Sequence, residues 1–233
     1  YYIHFYFNIM KKTINKFGKI TKQDIWNAEN IYHLKSDISR IGKLLYHYEI
    51  YKMIKNIPGD IVECGVFKGA SLVRFLTFRA ILENNFSRKI LGFDIFGKFP
   101  LEKRKNDKNF ILNFEKNTGN GISINELCDI FEEKKFDNFE LIKGDVKVTI
   151  PKFLKRNPET KIALLHLDLD VYKPTKLALE KFIKHMSPKG IILIDDYSLA
   201  HGSTKAIDEF LKKNTKLKIQ KLHYYKQPSF IVL

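Results

Sequence analysis

Ala163-Leu164-Leu165-His166-Leu167-Asp168-Leu169-Asp170 and Ile191-Ile192-Leu193-Ile194-Asp195-Asp196 decide the fold of this chain. Each is an apolar run of strand length that ends abruptly in carboxylates. Between them lie a helical pattern over Lys173–Ser187 and a turn signal, Pro188-Lys189-Gly190. A strand–helix–strand unit makes its two strands parallel, so both acidic tips are expected at the same edge of one sheet. Carboxylates that converge on one point repel each other unless a cation joins them. In a chain of net charge +15, Asp168, Asp195 and Asp196 together read as a hard-metal site, with magnesium the natural occupant. Asp170 is assigned instead to helix capping or lysine pairing.

Working outward, Ile38–Asn56 carries Ile41, Leu44, Leu45, Tyr48, Tyr51 and Ile54 at three- and four-residue spacing, the pattern of a packed helix. Pro58-Gly59 ends it. A strand at Asp60–Cys64, a glycine loop and a helix over 70–82 follow. Further strands are expected at Lys89–Phe93, Phe139–Ile142, Leu217–His223 and Ser229–Leu233, the last two joined by a turn at Tyr225–Pro228. Helices are expected over 150–155 and 204–213. Strands alternating with helices and closing in a hairpin predict a Rossmann-like α/β fold. Its sheet has seven strands, mostly parallel, with an antiparallel last strand and helices on both faces. Residues 1–37 read as an N-terminal arm and 38–233 as one domain. Within that domain, 96–136 is a charged, lid-like insertion with a helix near 124–134.

Composition narrows the function classes. At 233 residues, 44% hydrophobic and 13% aromatic, the chain builds its own core. No apolar stretch approaches the roughly 20 residues a membrane span needs. Two isolated cysteines, Cys64 and Cys128, fit a reducing, cytoplasmic setting better than a disulfide framework. The aromatic opening segment, residues 1–9, has no basic region or cleavage site of a signal peptide and reads as an ordered arm. The lysines are spread along the whole chain and mixed with acids, so a solvated surface is favoured over a nucleic-acid groove.

The stretch Glu63-Cys64-Gly65-Val66-Phe67-Lys68-Gly69-Ala70-Ser71 places a tight glycine turn before a helix N-terminus. Gly65 admits a ligand close to the backbone, and Gly69 lets the helix begin beside it. The spacing is neither that of a dinucleotide loop nor that of a P-loop. Glu63 is a poor neighbour for phosphate but suits the ammonium of an amino-acid-like cofactor. Asp94, at the tip of the second strand, stands where α/β sites bind ribose hydroxyls. Gly144-Asp145, at the third tip, would lie near an adenine. Adenosine without pyrophosphate means S-adenosylmethionine.

In their order along the chain, Glu63-Cys64-Gly65-Val66 with Gly69, Phe93-Asp94 with Phe96, Leu167-Asp168 with Asp170 and Tyr172, Asp195-Asp196-Tyr197, and Ala206 with Asp208 and Phe210 resemble the macrocin O-methyltransferase family. The resemblance covers about Ile38 to Leu233. It implies a class I methyltransferase that uses S-adenosylmethionine and Mg2+ to methylate sugar hydroxyls of natural products or surface polysaccharides. Carried over, Asp168, Asp195 and Asp196 hold the metal, and Asp168 doubles as general base. Glu63, Gly65, Gly69, Ser71, Asp94, Gly144 and Asp145 fall at cofactor positions. The chain departs from the family at Ile95, at Leu169 and in Gly97-Lys98-Phe99-Pro100.

The expected partner is a small-molecule or glycan hydroxyl, with a homo-oligomer left open. Rival readings are a catechol-like phenol O-methyltransferase, an RNA-binding or RNA-methylating protein, and a catalytically silent scaffold. His166 reads as a buried core residue, His201 as a minor acceptor-facing candidate, and Cys64 as no nucleophile.

Overall fold

Strands with apolar side chains at successive positions must be covered on both faces, and the architecture follows from that need. The computed structural model describes residues 20–100, 104–224 and 227–233. Its strands are β1 (Asp60–Cys64), β2 (Ile90–Asp94), β3 (Phe139–Lys143), β4 (Ile162–Leu167), β5 (Met186–Ile194), β6 (Ile219–Gln220) and β7 (Ser229–Val232). They form one sheet in the order β3-β2-β1-β4-β5-β7-β6. All pairs are parallel except β5 with β7 and β6 with β7.

The helices are α1 (Lys22–Lys35), α2 (Ile38–Ile54), α3 (Ala70–Leu82), α4 (Lys105–Thr118), α5 (Ile124–Glu133), α6 (Val146–Arg156), α7 (Tyr172–Phe182) and α8 (His201–Lys213). Helices α2, α3 and α5 bury Tyr46, Ile50, Phe75 and Phe131 with Ile61, Leu164 and Leu193 on one face. On the other, α6, α7 and α8 bury Ile150, Phe182 and Ile207 with Val62, Leu165 and Ile192. Each such side chain contributes about 1.5–3 kcal/mol by leaving water. Alternation along β1 and β4 then puts Glu63 and His166, which are register partners, on the α2/α3 face.

Strand order reverses between β1 and β4, and the crevice at the carboxyl ends of those strands is where open α/β sheets bind ligands. Short bonds beyond the strands draw the tips together there. Asp168 donates its N–H to the Cys64 carbonyl (2.9 Å), and Asp195 donates to Leu167 (3.0 Å).

Several boundaries differ from the sequence reading. The insertion holds α4 as well as α5. A narrow buried face, Asp107 and Ile111, gives α4 little apolar periodicity to read. Strand β5 runs through Pro188-Lys189-Gly190 from Met186, with Lys189 at φ +63° and a register irregularity against β4. Strand β6 has two residues, because it pairs with β7 on one side at the sheet edge. The expectations for residues 1–9 and for 225–226 of the last turn lie outside the described residues. Among those described, no helix is long and apolar enough to cross a membrane.

Gly65 fixes how closely β1 and β4 can meet. Its φ is +92°, and a Cβ there would stand 1.7 Å from the Asp168 carbonyl oxygen. Gly65→Ala should therefore cost on the order of 3 kcal/mol or more by urea unfolding. Gly97→Ala, whose Cβ meets nothing within 4 Å, should shift the midpoint little.

Candidate active site

Oxygens of Asp168, Asp195 and Asp196 all lie within 4.8 Å of one another at the ends of β4 and β5. Burial pushes the carboxyls of Asp168 and Asp196 well above the usual range, and neighbouring carboxylates add to it, Asp195 and Asp196 acting on Asp168, and Asp170 and Asp195 acting on Asp196. Asp195 goes the other way. Burial alone would raise it, but His166 and Lys43 together hold it well below the usual range. The Lys43 ammonium, on α2, is 2.6 Å from Asp195 Oδ2. His166 lies between two carboxylates, its Nδ1 3.3 Å from Glu63 Oε1 and its Nε2 3.7 Å from Asp195 Oδ1. Burial works against its charged form, yet those carboxylates push its pKa up to about 10. Packed against it, His47 is held neutral by burial and then by the charge on His166. His47 also converges with His166 and Asp195, but an imidazolium has no lone pair to give a metal.

The trio fits a hard divalent cation. Asp195 Oδ1 and Asp196 Oδ2 are buried without a hydrogen-bond partner among the described residues, and an all-oxygen, all-carboxylate set suits magnesium or manganese better than zinc. Asp170 joins this cluster, contrary to the capping role expected for it. Among the described residues, neither a cap bond at α7 nor a lysine within ion-pair distance holds it. Its backbone takes φ +60°, and its side chain lines the same cleft. Burial, and then Asp168, push its pKa up to about 7.

Beside the acids runs a cleft of about 370 Å³. Gly65, Ser71, Asp94, Gly144, Asp145, Asp168, Asp195 and Asp196 line it, so eight of the ten residues named from sequence share one cavity. Asp94 Oδ2 accepts from the N–H groups of Val66 (2.8 Å) and Phe67 (3.1 Å), and Oδ1 accepts from Phe96 (2.6 Å). The second strand's acid thus shapes the glycine loop. Asp145 caps α6 by accepting from the Lys147 N–H at 2.9 Å.

Two residues stand back from the cavity. Glu63 is fully buried beneath it, accepting the Ser71 hydroxyl proton and facing His166. Gly69, at φ +82°, starts α3 where a Cβ would meet Leu127 of α5. His201 is exposed at the start of α8, and Cys64 is buried with its thiol pushed up by that burial.

Sequence reasoning passed over Arg40, Lys43 and Arg74, which line the cleft from α2 and α3, and gave no site role to Phe99, Ile111 and Phe114 of the 96–136 insertion. A charged residue set among the apolar positions of α2 was the available signal for Lys43. The 96–136 insertion is tied to the start of α7 through Asp107, which accepts from the Tyr172 N–H (3.2 Å) and pairs within the insertion with Arg104 (3.7 Å).

The family model of macrocin-O-methyltransferase (TylF) matches residues 40–223. A tetracenomycin-pathway relative from Streptomyces olivaceus, 8-demethyl-8-(2,3-dimethoxy-alpha-L-rhamnosyl)-tetracenomycin-C 4'-O-methyltransferase, is 28% identical over 177 residues, 73% of this chain and 64% of that protein. Demethyldecarbamoylnovobiocin O-methyltransferase from Streptomyces niveus is 26% identical over 167 residues, 68% of this chain and 60% of its own. The chain thus spans less than two thirds of the length of these two relatives. The apo structure of CalS11, a TDP-rhamnose 3'-O-methyltransferase of calicheamicin biosynthesis, superposes with a TM-score of 0.67 at 25% identity, over 92% of this chain and 87% of that one.

Millimolar Mg2+ or Mn2+ should raise the thermal midpoint of the wild type, by about 2.7 kcal/mol of linkage at 100 times the dissociation constant. Asp195→Asn/Asp196→Asn should abolish that rise. Without divalent cation, Asp168→Asn should be as stable as wild type or more so, because it removes one of the mutually repelling charges.

Proposed function

The chain belongs to the macrocin-O-methyltransferase family, and on that premise we propose that it transfers a methyl group from S-adenosylmethionine to a sugar hydroxyl of a natural product or a surface polysaccharide. The observation that carries this reading is the convergence of three carboxylate oxygens on one point of a cleft whose other wall is a glycine loop. Residues 38–233 would be the catalytic domain, with 96–136 as its lid and 1–37 as an arm.

In this reading the cofactor lies along the ends of β1 to β3. Gly65 gives the backbone room, Asp94 takes ribose hydroxyls and Asp145 stands by the adenine. Glu63 acts through Ser71, whose hydroxyl it orients at the cleft wall. Asp168, Asp195 and Asp196 would hold Mg2+, which when bound would lower the pKa of a substrate hydroxyl brought beside it. Lys43 and His166 keep Asp195 ionised for that purpose. The substrate oxygen gains the methyl carbon as the carbon–sulfur bond breaks. The hydroxyl proton passes to a carboxylate of the cluster, leaving a methyl ether and S-adenosylhomocysteine. Because the sulfonium is a good leaving group, alignment and proton acceptance are the protein's main tasks.

Asp168 is proposed as the proton acceptor. Asp170 competes for the role, since it lines the cleft without belonging to the three converging oxygens. A flat catechol would be expected to meet a wall of tryptophan or methionine. Among the described residues the cleft lining holds no tryptophan or methionine, its aromatic members are Phe67, Phe99 and Phe114, and Trp26 lies exposed on α1.

Methyl-labelled S-adenosylmethionine offered with Mg2+ and a panel of sugar diols, sugar nucleotides and catechols tests the proposal. Label should appear in a sugar ether, fall on the order of 100- to 1000-fold in Asp195→Asn/Asp196→Asn, and vanish with chelator. Transfer to catechol alone would favour the phenol reading. No transfer and no cofactor binding under any condition would defeat the methyltransferase assignment. Asp170→Asn should keep cofactor binding, and a drop in rate as large as that of Asp168→Asn would move the base to Asp170.

A further inference from the structure

Two guanidinium groups at the mouth of the cleft take no part in the chemistry above. Arg40 stands on α2 one turn before Lys43, and Arg74 stands on α3 one turn after Ser71. Both line the same cavity as Gly65, Ser71 and Asp195. Neither side chain has a hydrogen bond or an ion pair among the described residues. Arg74 is half-buried and Arg40 exposed. The two charges feel each other. Burial first weakens Arg74's hold on its proton, Tyr32 opposes that, and the charge of Arg40 adds to the weakening.

Two like charges that feel each other beside a cleft, one of them half-buried and neither paired among the described residues, are costly, and a ligand that brings a counter-charge recovers that cost. The nearest acids do not serve. Asp195 is committed to Lys43, and Glu63 to Ser71 and His166. Arginine is also the side chain whose planar fork matches carboxylate and phosphate oxygens two at a time. A lysine or glutamine would have sufficed merely to keep the mouth wet.

We propose that Arg40 and Arg74 form an oxyanion subsite at the cleft mouth, which takes a carboxylate or phosphate group of a bound ligand. The subsite deepens the methyltransferase reading and rests on it for the identity of that ligand. Arg74 follows Ser71 on the cofactor side, where the α-carboxylate of the methionine moiety is the available anion. Arg40 precedes Lys43 on the metal side, where a phosphate carried by the acceptor sugar would arrive. The chemistry recognised is the same, and experiment separates the sources.

Calorimetric titration of the full chain, wild type against Arg40→Gln, Arg74→Gln and the double variant, uses three probes. These are S-adenosylhomocysteine, 5'-methylthioadenosine (which lacks the amino-acid moiety) and inorganic pyrophosphate. Chelator is present throughout so that no metal–pyrophosphate complex reports on the acid cluster. If the cofactor's carboxylate is the occupant, the double variant weakens S-adenosylhomocysteine roughly 10- to 100-fold and leaves 5'-methylthioadenosine unchanged. If the acceptor's phosphate is the occupant, S-adenosylhomocysteine is unchanged and wild-type pyrophosphate binding is lost. Equal affinities of wild type and double variant for all three probes overturn the proposal. Arg40→Gln, being exposed, keeps the test valid should Arg74→Gln fold poorly. Wild type that binds neither adenosine ligand would sink the methyltransferase reading, while the pyrophosphate titration still judges the subsite.

Discussion

Everything at this site depends on how four carboxylates are kept together at the ends of β4 and β5. Asp168, Asp170, Asp195 and Asp196 crowd a half-buried pocket, and without compensation they would take up protons or push the strand tips apart. Lys43 and the imidazolium of His166 offset part of that charge by fixing on Asp195. The remainder falls on Asp168 and Asp196, whose carboxyls are pushed toward holding a proton. On the proposed reading, a divalent ion bound by these acids would relieve that repulsion.

His166 has a second consequence. It joins Glu63, beneath the glycine loop, to Asp195, in the acid cluster, through one ring packed between His47 and Phe75. Glycine-loop wall and acid cluster are thus braced against each other across β1 and β4, the pair where strand order reverses. Gly65 permits the same closeness in the backbone. Topology supplies the crevice, and these few buried polar contacts set its width.

The sheet and its acidic tips were legible because they rest on strong local signals. Apolar runs of strand length that end in Asp94, Asp168 and Asp195 leave little room for another arrangement. Glu63 and His166 illustrate where that legibility stops. Strand alternation puts both on one face, yet register between β1 and β4 is a tertiary property, and it alone makes them partners. Asp170 reads as a cap because it precedes a helix, whereas its backbone takes a positive φ and its side chain lines the cleft with the other acids. Helix α4 and the basic residues Arg40, Lys43 and Arg74 escaped notice for a related reason. Their roles come from long-range docking onto the cleft: α4 buries only a narrow face, and the three basic residues sit among apolar positions that read as packing alone.

Manganese binding followed by electron paramagnetic resonance would test the central claim most directly, because free Mn2+ gives a six-line signal that is lost on coordination. The account predicts one site per chain on the wild type, competed by Mg2+ and absent from Asp195→Asn/Asp196→Asn. An undiminished free-ion signal at millimolar Mn2+ with the wild type, or equal binding by the double variant, would contradict it.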